Sequence, residues 1–232
     1  MQHIGIAAIT AEGAALVYRQ ICHAASQRLG EHHHPEISLH TFSLSEHLHA
    51  GSDRKERWSS LIMASAQKLQ ASGADFMICP SNTPHDVYDD VVNQLPIPWL
   101  HIVKPVRQAA QVAKAKQLLL LGTRFTLESD FYDNQFRGSN IELVRTDGQE
   151  TASVHDIINR ELIKGVVTPT SQQYFSRVIS KYASMGVDGV ILGCTELPLI
   201  INGSMTKLAL FDSATLLADA ALDRAINASA NE

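Results

Sequence analysis

Residues 73 to 85 read GADFMICPSNTPH, and 113 positions later the chain writes nearly the same phrase again, GVDGVILGCTELP, over residues 186 to 198. Aligned without gaps, Gly73 falls on Gly186, Asp75 on Asp188, Ile78 on Ile191 and Ser81 on Cys194. A repeat offset by about half the chain demands two similar units. Each copy has the same order: a glycine turn, an acidic residue, an apolar run of strand length, and a small polar residue expected to begin a helix. The chain must therefore build one strand-turn-helix unit twice.

Short apolar runs alternate with helix-length amphipathic stretches along the rest of the chain, the pattern of parallel strands joined by crossover helices. The fold class is α/β. Strands are expected over residues 3–9, 37–43, 76–80, 99–103, 117–122, 141–145, 189–193 and 208–211. The runs LLLLG and GVILG do not alternate with polar residues, so those strands should be covered on both faces. Two pseudo-symmetric, Rossmann-like lobes follow, residues 1–103 with 213–232 and residues 104–212. The crossover falls near residues 103–106, and the last helix, 213–228, packs back on the first lobe. Ligands collect at the carboxyl ends of strands in open parallel sheets. Ser81 and Cys194 are thus expected on opposite sides of one cleft.

Composition narrows the function classes. With 45% hydrophobic and 19% charged residues, the chain suits one large or two small compact domains. A formal charge of -5, with Lys and Arg scattered, offers no basic face to a nucleic-acid backbone. No apolar run reaches the roughly 18 to 20 residues of a membrane span. The start, MQHIGIAAIT, lacks a basic region and reads as a first strand, in a cytoplasmic protein. Cysteines at 22, 79 and 194 include no CxxC pair, so neither a disulfide framework nor a zinc site is indicated. GxGxxG and GxxxxGK[ST] are absent, which argues against dinucleotides and nucleoside triphosphates.

Thiol chemistry remains. Cys194, in GCTELP, is expected at the start of a helix, where free N–H groups and the helix dipole would favour its thiolate. Thr195 and Glu196 add hydrogen-bonding groups beside it. Ser81 is followed by Asn82, Thr83 and His85, a turn expected to expose polar groups to an anion such as a carboxylate. Helix capping would explain Ser81 and Asn82 equally well, but not their symmetry with GCTE. Cys79 aligns with Leu192, a core position, and Cys22 is expected to pack within an amphipathic helix. The run Glu31-His32-His33-His34-Pro35, with His40, His47 and His49 nearby, matches no familiar metal spacing and reads as a solvated loop.

These motifs together resemble the aspartate/glutamate racemase family. The resemblance runs over most of the chain and is carried by GCTEL at 193–197, SNTPH at 81–85 and LGTRFTLESDFYDNQF at 121–136. RELIKG at 160–165 and FDSAT at 211–215 support it. It implies a cofactor-independent enzyme with two α/β lobes, in which two cysteines on opposite faces of the substrate remove and return the α-proton. By resemblance, Cys194 is one of the pair and Ser81 holds the place of the other. Asn82, Thr83, Thr123 and Thr195 match positions that hold substrate carboxylate and amine groups, and Glu196 is grouped with them. Lys164, and more loosely Arg54, match basic residues that meet a second carboxylate. The expected partner is a small dicarboxylic amino acid, and relatives are often dimers.

The chain departs from the family pattern in three places. Ser81 replaces a cysteine, and a hydroxyl donates a proton but is a far poorer base than a thiol of pKa about 8.5, which implies asymmetry between the two directions. Ala7-Ala8-Ile9-Thr10 stands in place of a glycine-rich turn, which would reshape the pocket. Leu217 occupies a position where the family often has histidine. Two alternatives stay open: a single-cysteine decarboxylase of malonate-type acids, and a catalytically silent protein that binds acidic ligands.

Overall fold

The computed structural model describes residues 1–48 and 53–227. His49 and Ala228 lie outside the described residues. The chain forms two compact units, Met1–Pro105 with Ala214–Glu232, and Val106–Ser213.

The first unit runs β1 (Ile4–Ala8), α1 (Ala11–Leu29), β2 (Ile37–Thr41), α2 (Leu44–His47), α3 (Arg54–Ala71), β3 (Phe76–Ile78), α4 (Tyr88–Val91) and β4 (Trp99–Leu100). Helix α5 (Val103–Val112) contains the boundary. The second unit follows as β5 (Gln117–Leu121), α6 (Arg124–Glu128), α7 (Phe131–Phe136), β6 (Glu142–Arg145), α8 (Gly148–Arg160), α9 (Pro169–Ser184), β7 (Gly189–Leu192) and β8 (Ala209–Asp212). Helix α10 (Ser213–Asn227) belongs, from Ala214 on, to the first unit. All eight expected strands are present, most of them trimmed at their ends. Strand β4 is the shortest because Ile102 and Val103 already turn into α5.

Each unit holds a four-stranded parallel sheet, and the two orders correspond: β2-β1-β3-β4 and β6-β5-β7-β8. The repeated phrase explains the match. Gly73 (φ 90°) and Gly186 (φ 99°) take left-handed conformations just after α3 and α9, where a side chain would strain the backbone. The aspartates that follow each clamp the neighbouring strand. Asp75 Oδ2 accepts the His3 N–H at 2.6 Å, and Asp188 accepts the N–H groups of Lys116 at 2.5 Å and Gln117 at 3.1 Å. Such charge-assisted bonds set the register in which β3 and β7 enter their sheets.

Leu118, Leu119, Leu120 and Leu121 are all fully buried, as expected of a strand covered on both faces. On one face of the second sheet, Leu119, Leu121, Val190 and Leu192 pack with Val154 and Ile158 of α8 and Phe175 and Ile179 of α9. In the first unit, Ala7, Met77 and Trp99 pack with Ile62, Ala66 and Leu69 of α3. Burial of each large side chain contributes about 1.5–3 kcal/mol. Helix starts carry their expected caps: Thr10 on α1, Thr123 on α6, Asp147 with Glu150 as a capping box on α8, and Thr168 on α9. Among the described residues, no helix is long and apolar enough to cross a membrane.

Candidate active site

In the second unit, β7 ends at Leu192 and the next residue has to be glycine. The Gly193 N–H donates to the Leu121 carbonyl at 2.7 Å, and a Cβ at residue 193 would lie 2.8 Å from that same oxygen. This close approach fixes where the chain leaves the sheet, and so where Cys194 sits. No α-helix begins there, contrary to the sequence expectation. Cys194 lies in a bend, Thr195 and Glu196 form a turn, and Leu197–Leu199 make a short 3-10 segment. Buried Ile200 and Ile201 pin that segment, and the turn-forming Asn202-Gly203-Ser204 stops it from growing.

The electrostatics of Cys194 are correspondingly reversed from the expected thiolate. Its Sγ donates to Glu196 Oε2 at 2.9 Å, and Glu196 is itself buried. Burial, followed by the Glu196 charge and that hydrogen bond, pushes the thiol pKa well above its ordinary value. Cys194 therefore carries its proton at neutral pH.

Tyr132, which interacts with this thiol, and Asp212 and Ser213, which interact with Tyr132, are absent from the site read off the sequence. Tyr132 of α7 is fully buried, with its phenol pKa raised mainly by burial and further by the charges of Asp212 and Cys194, against a lowering bond to Ser213. Asp212 ends β8 in register with Leu192, and the Ser213 hydroxyl donates to the Leu192 carbonyl at 2.9 Å. Tyr132 lies within the motif LGTRFTLESDFYDNQF, and Asp212 and Ser213 within FDSAT, so both motifs held the signal. Thr123 caps α6, accepting the Thr126 N–H at 3.4 Å. Thr195 is half-buried next to the thiol, and Lys164 is exposed at the end of the 3-10 segment Leu162–Lys164.

In the first unit, β3 stops at Ile78 and Pro80 supplies no N–H to extend its ladder. Ser81 is partly exposed. The following 3-10 segment, Thr83–Val87, has Pro84 in its first turn and no side-chain capping bond from Asn82. The helix expected here begins as this 3-10 turn and runs directly into α4, without the capping role for Asn82, which is buried.

His85 is also corrected. It is 1% exposed, not displayed by the turn. Its Nε2 accepts the Ile102 N–H at 3.2 Å, which leaves Nδ1–H to donate to the Ser81 carbonyl at 2.9 Å. Those two bonds select one neutral tautomer. Burial lowers the His85 pKa to about 3. The imidazole is thus a scaffold that holds Ser81 in place. It stacks among Tyr88, Trp99 and His101, a buried aromatic cluster.

Arg54 pairs with Asp86 at 3.6 Å, as does Lys55 at 3.3 Å, and with Thr83, Trp58 and Val87 they line a small pocket. Arg54 and Thr83 are thereby brought together. Ala7 and Ala8 close β1 as buried residues, and Thr10 accepts the Gly13 N–H at 3.2 Å, so this stretch is a strand end and a helix cap. Leu217 is fully buried in α10. Cys79 is fully buried, its thiol pKa pushed up to about 12 by that burial. Cys22 is only partly buried; it flanks the stripe formed by Ala14, Val17, Ile21 and Ala25 and hydrogen-bonds Tyr18. His32, His33 and His34 are exposed in a loop, and no group of three or more metal-ligating side chains is placed to hold an ion among the described residues.

The two parallel α/β units match solved racemase-family structures, and the relatives make the chain an isomerase of the racemase class. The chain belongs to the Asp/Glu/hydantoin racemase family, whose model matches residues 6–221. It is 28% identical over 160 residues to the broad specificity amino-acid racemase RacX of Bacillus subtilis strain 168, a match covering 68% of this chain and 67% of RacX. A glutamate racemase of Corynebacterium diphtheriae is 26% identical over 163 residues, covering 69% of this chain and 58% of that longer one. Among solved structures, an aspartate racemase homologue from Pyrococcus horikoshii OT3 superposes with a TM-score of 0.86 at 29% identity, covering 97% of this chain and 100% of that one.

Proposed function

We propose that this protein racemises an acidic amino acid, aspartate or glutamate, without a cofactor, by removing the α-proton and returning one to the opposite face. Cys194 serves one face and Ser81 the other. Asn82, Thr83, Thr123 and Thr195 hold the substrate's carboxylate and amine, and Lys164 and Arg54 meet its second carboxylate. The observation that carries this reading is the reactive-group pair at equivalent turns of the repeat: a thiol bonded to Glu196 in one, a hydroxyl held by His85 through its own carbonyl in the other. Similarity to racemases of broad, aspartate-type and glutamate-type specificity supports the substrate class. Because a serine hydroxyl is a much weaker base than a thiol, proton abstraction on the face that Ser81 serves is slower than on the face that Cys194 serves.

The test is proton exchange in deuterium oxide, followed at the α-carbon of each enantiomer of aspartate and glutamate. At least one enantiomer is expected to exchange, with unequal initial rates for the two members of its pair. Absence of exchange in all four refutes the reading, and carbon dioxide release from substituted malonates by such a protein would replace it with a one-donor decarboxylase. Ser81→Cys sharpens the same test. It is expected to raise racemisation about 10-fold or more in both directions, since residue 81 is base one way and proton donor the other, and an equilibrium constant of about one ties the two kcat/KM values together.

A further inference from the structure

Asp86 puts a carboxylate where the first unit gathers positive charge. It belongs to the 3-10 segment Thr83–Val87, in which side chains three positions apart eclipse, so Asp86 lies on the same side as Thr83. Its Oδ2 is 3.3 Å from Lys55 Nζ and 3.6 Å from Arg54 Nη2, on the first two residues of α3. Cations at a helix N-terminus oppose the helix dipole, so this pair calls for an anion. The repeated fold does not by itself supply one: at the ungapped repeat offset, residue 86 falls on Leu199, which ends the 3-10 segment of the second unit. Asp86 is therefore a feature of the first unit alone. Its side chain is 14% exposed, against 34% for Arg54 and 59% for Lys55, so the anion lies on the inner, less screened side of the cluster.

We propose that Asp86 is a specificity-determining residue: it stands in for a substrate's second carboxylate on Arg54, and so widens the substrate range from dicarboxylic amino acids to those with uncharged side chains. The inference rests on the racemase reading above, in which Arg54 meets that second carboxylate. The pocket formed by these three groups with Trp58, Thr83 and Val87 holds a free volume of about 10 Å³, at the limit of what one water needs. A further carboxylate has no room beside Asp86 and has to share Arg54 with it or displace it. Sharing brings two like charges onto one guanidinium, which costs affinity. An acidic side chain thus gains less from Arg54 than it would from an unpaired cation. An amide side chain of the same shape carries no charge and meets no such penalty.

The experiment compares each acid with its isosteric amide, aspartate with asparagine and glutamate with glutamine, by α-proton exchange in deuterium oxide. Asp86→Asn is expected to lower KM for the acid about 5-fold or more, with kcat changed less than about threefold and the constants of the amide little altered. Asp86→Glu, which keeps the charge, should hold the acid-to-amide ratio within about threefold of wild type. Calorimetric binding of succinate against succinamate reads the same contrast without turnover, and Asp86→Asn should tighten succinate alone by about 5-fold or more. A ratio that stays put in either measurement overturns the inference, even if the melting temperature falls, since Asp86 would then only anchor α3. So does a rise in KM for the acid, which would make Asp86 a support for Arg54, or an absence of succinate binding to both proteins. Tightened succinate in a protein that exchanges none of the four amino acids would sink the racemase reading and leave the role of Asp86 standing. Should Asp86→Asn not fold, the wild-type protein decides: a preference for acid over amide above about 100-fold overturns the inference.

Discussion

Cys194→Ala is expected to lower α-proton exchange by about 10²- to 10⁴-fold for every enantiomer the wild-type protein accepts, the range associated with loss of one positioned acid or base. Both directions fall, because a single thiol serves as base one way and as donor the other. Removal of the thiol takes from buried Glu196 its hydrogen-bond donor, a loss of about 1–3 kcal/mol in stability. The protein therefore stays folded within a typical total of about 5–15 kcal/mol. Cys79→Ala gives the contrasting outcome. That thiol is fully buried in the core of the first unit, so its loss lowers the melting temperature while the exchange rate of the folded protein stays near wild type. Rate and melting curves measured together on the two variants check the assignment. An active Cys194→Ala protein would refute it.

The contrast between these cysteines was legible in the sequence, because the repeat places Cys194 over Ser81 and Cys79 over Leu192. The fold was legible for the same reason: one unit written twice, with glycine and aspartate at fixed offsets, yields two sheets of one strand order. What misled was the meaning of a small polar residue after a strand. It looks like a helix cap in both copies, yet in the first no side chain caps the 3-10 segment, which runs straight into α4, and in the second the Asn202-Gly203-Ser204 turn confines the start to a short 3-10 segment. Without a helix there is no dipole to lower the thiol pKa, and the sign of the shift reverses. The Cys194 to Glu196 bond depends on that turn geometry, which spacing alone does not reveal. Tyr132 is more than 60 positions from Cys194 and reaches it only through the packing of α7. His85 stands in a polar motif and reads as exposed; its burial comes from Tyr88, Trp99 and His101, which form no local pattern with it.

Acid is expected to destabilise this protein steeply below neutrality, and His85 and His101 determine how. Burial lowers their folded pKa values to about 3 and about 2, against about 6.5 for the unfolded chain. The unfolded state therefore binds two more protons than the folded state between roughly pH 6.5 and 3. Their contribution is fully present above the unfolded pKa and is lost as pH falls toward the folded values. At about 1.4 kcal/mol per pH unit for each ring, the pair removes roughly 4 kcal/mol by pH 5, a large part of a typical stability. Urea unfolding at pH 7 and pH 5 measures this directly, and equal midpoints would refute it. His85→Leu separates the two rings: it is less stable at pH 7, since the Ile102 N–H and the Ser81 carbonyl lose their partner, but its stability falls about half as steeply with acid. A protonated His85 also cannot accept the Ile102 N–H, so its charging opposes the bond that seats the ring against Ser81. Exchange activity that depends on Ser81 should consequently fall with the same protonation that unfolds the first unit.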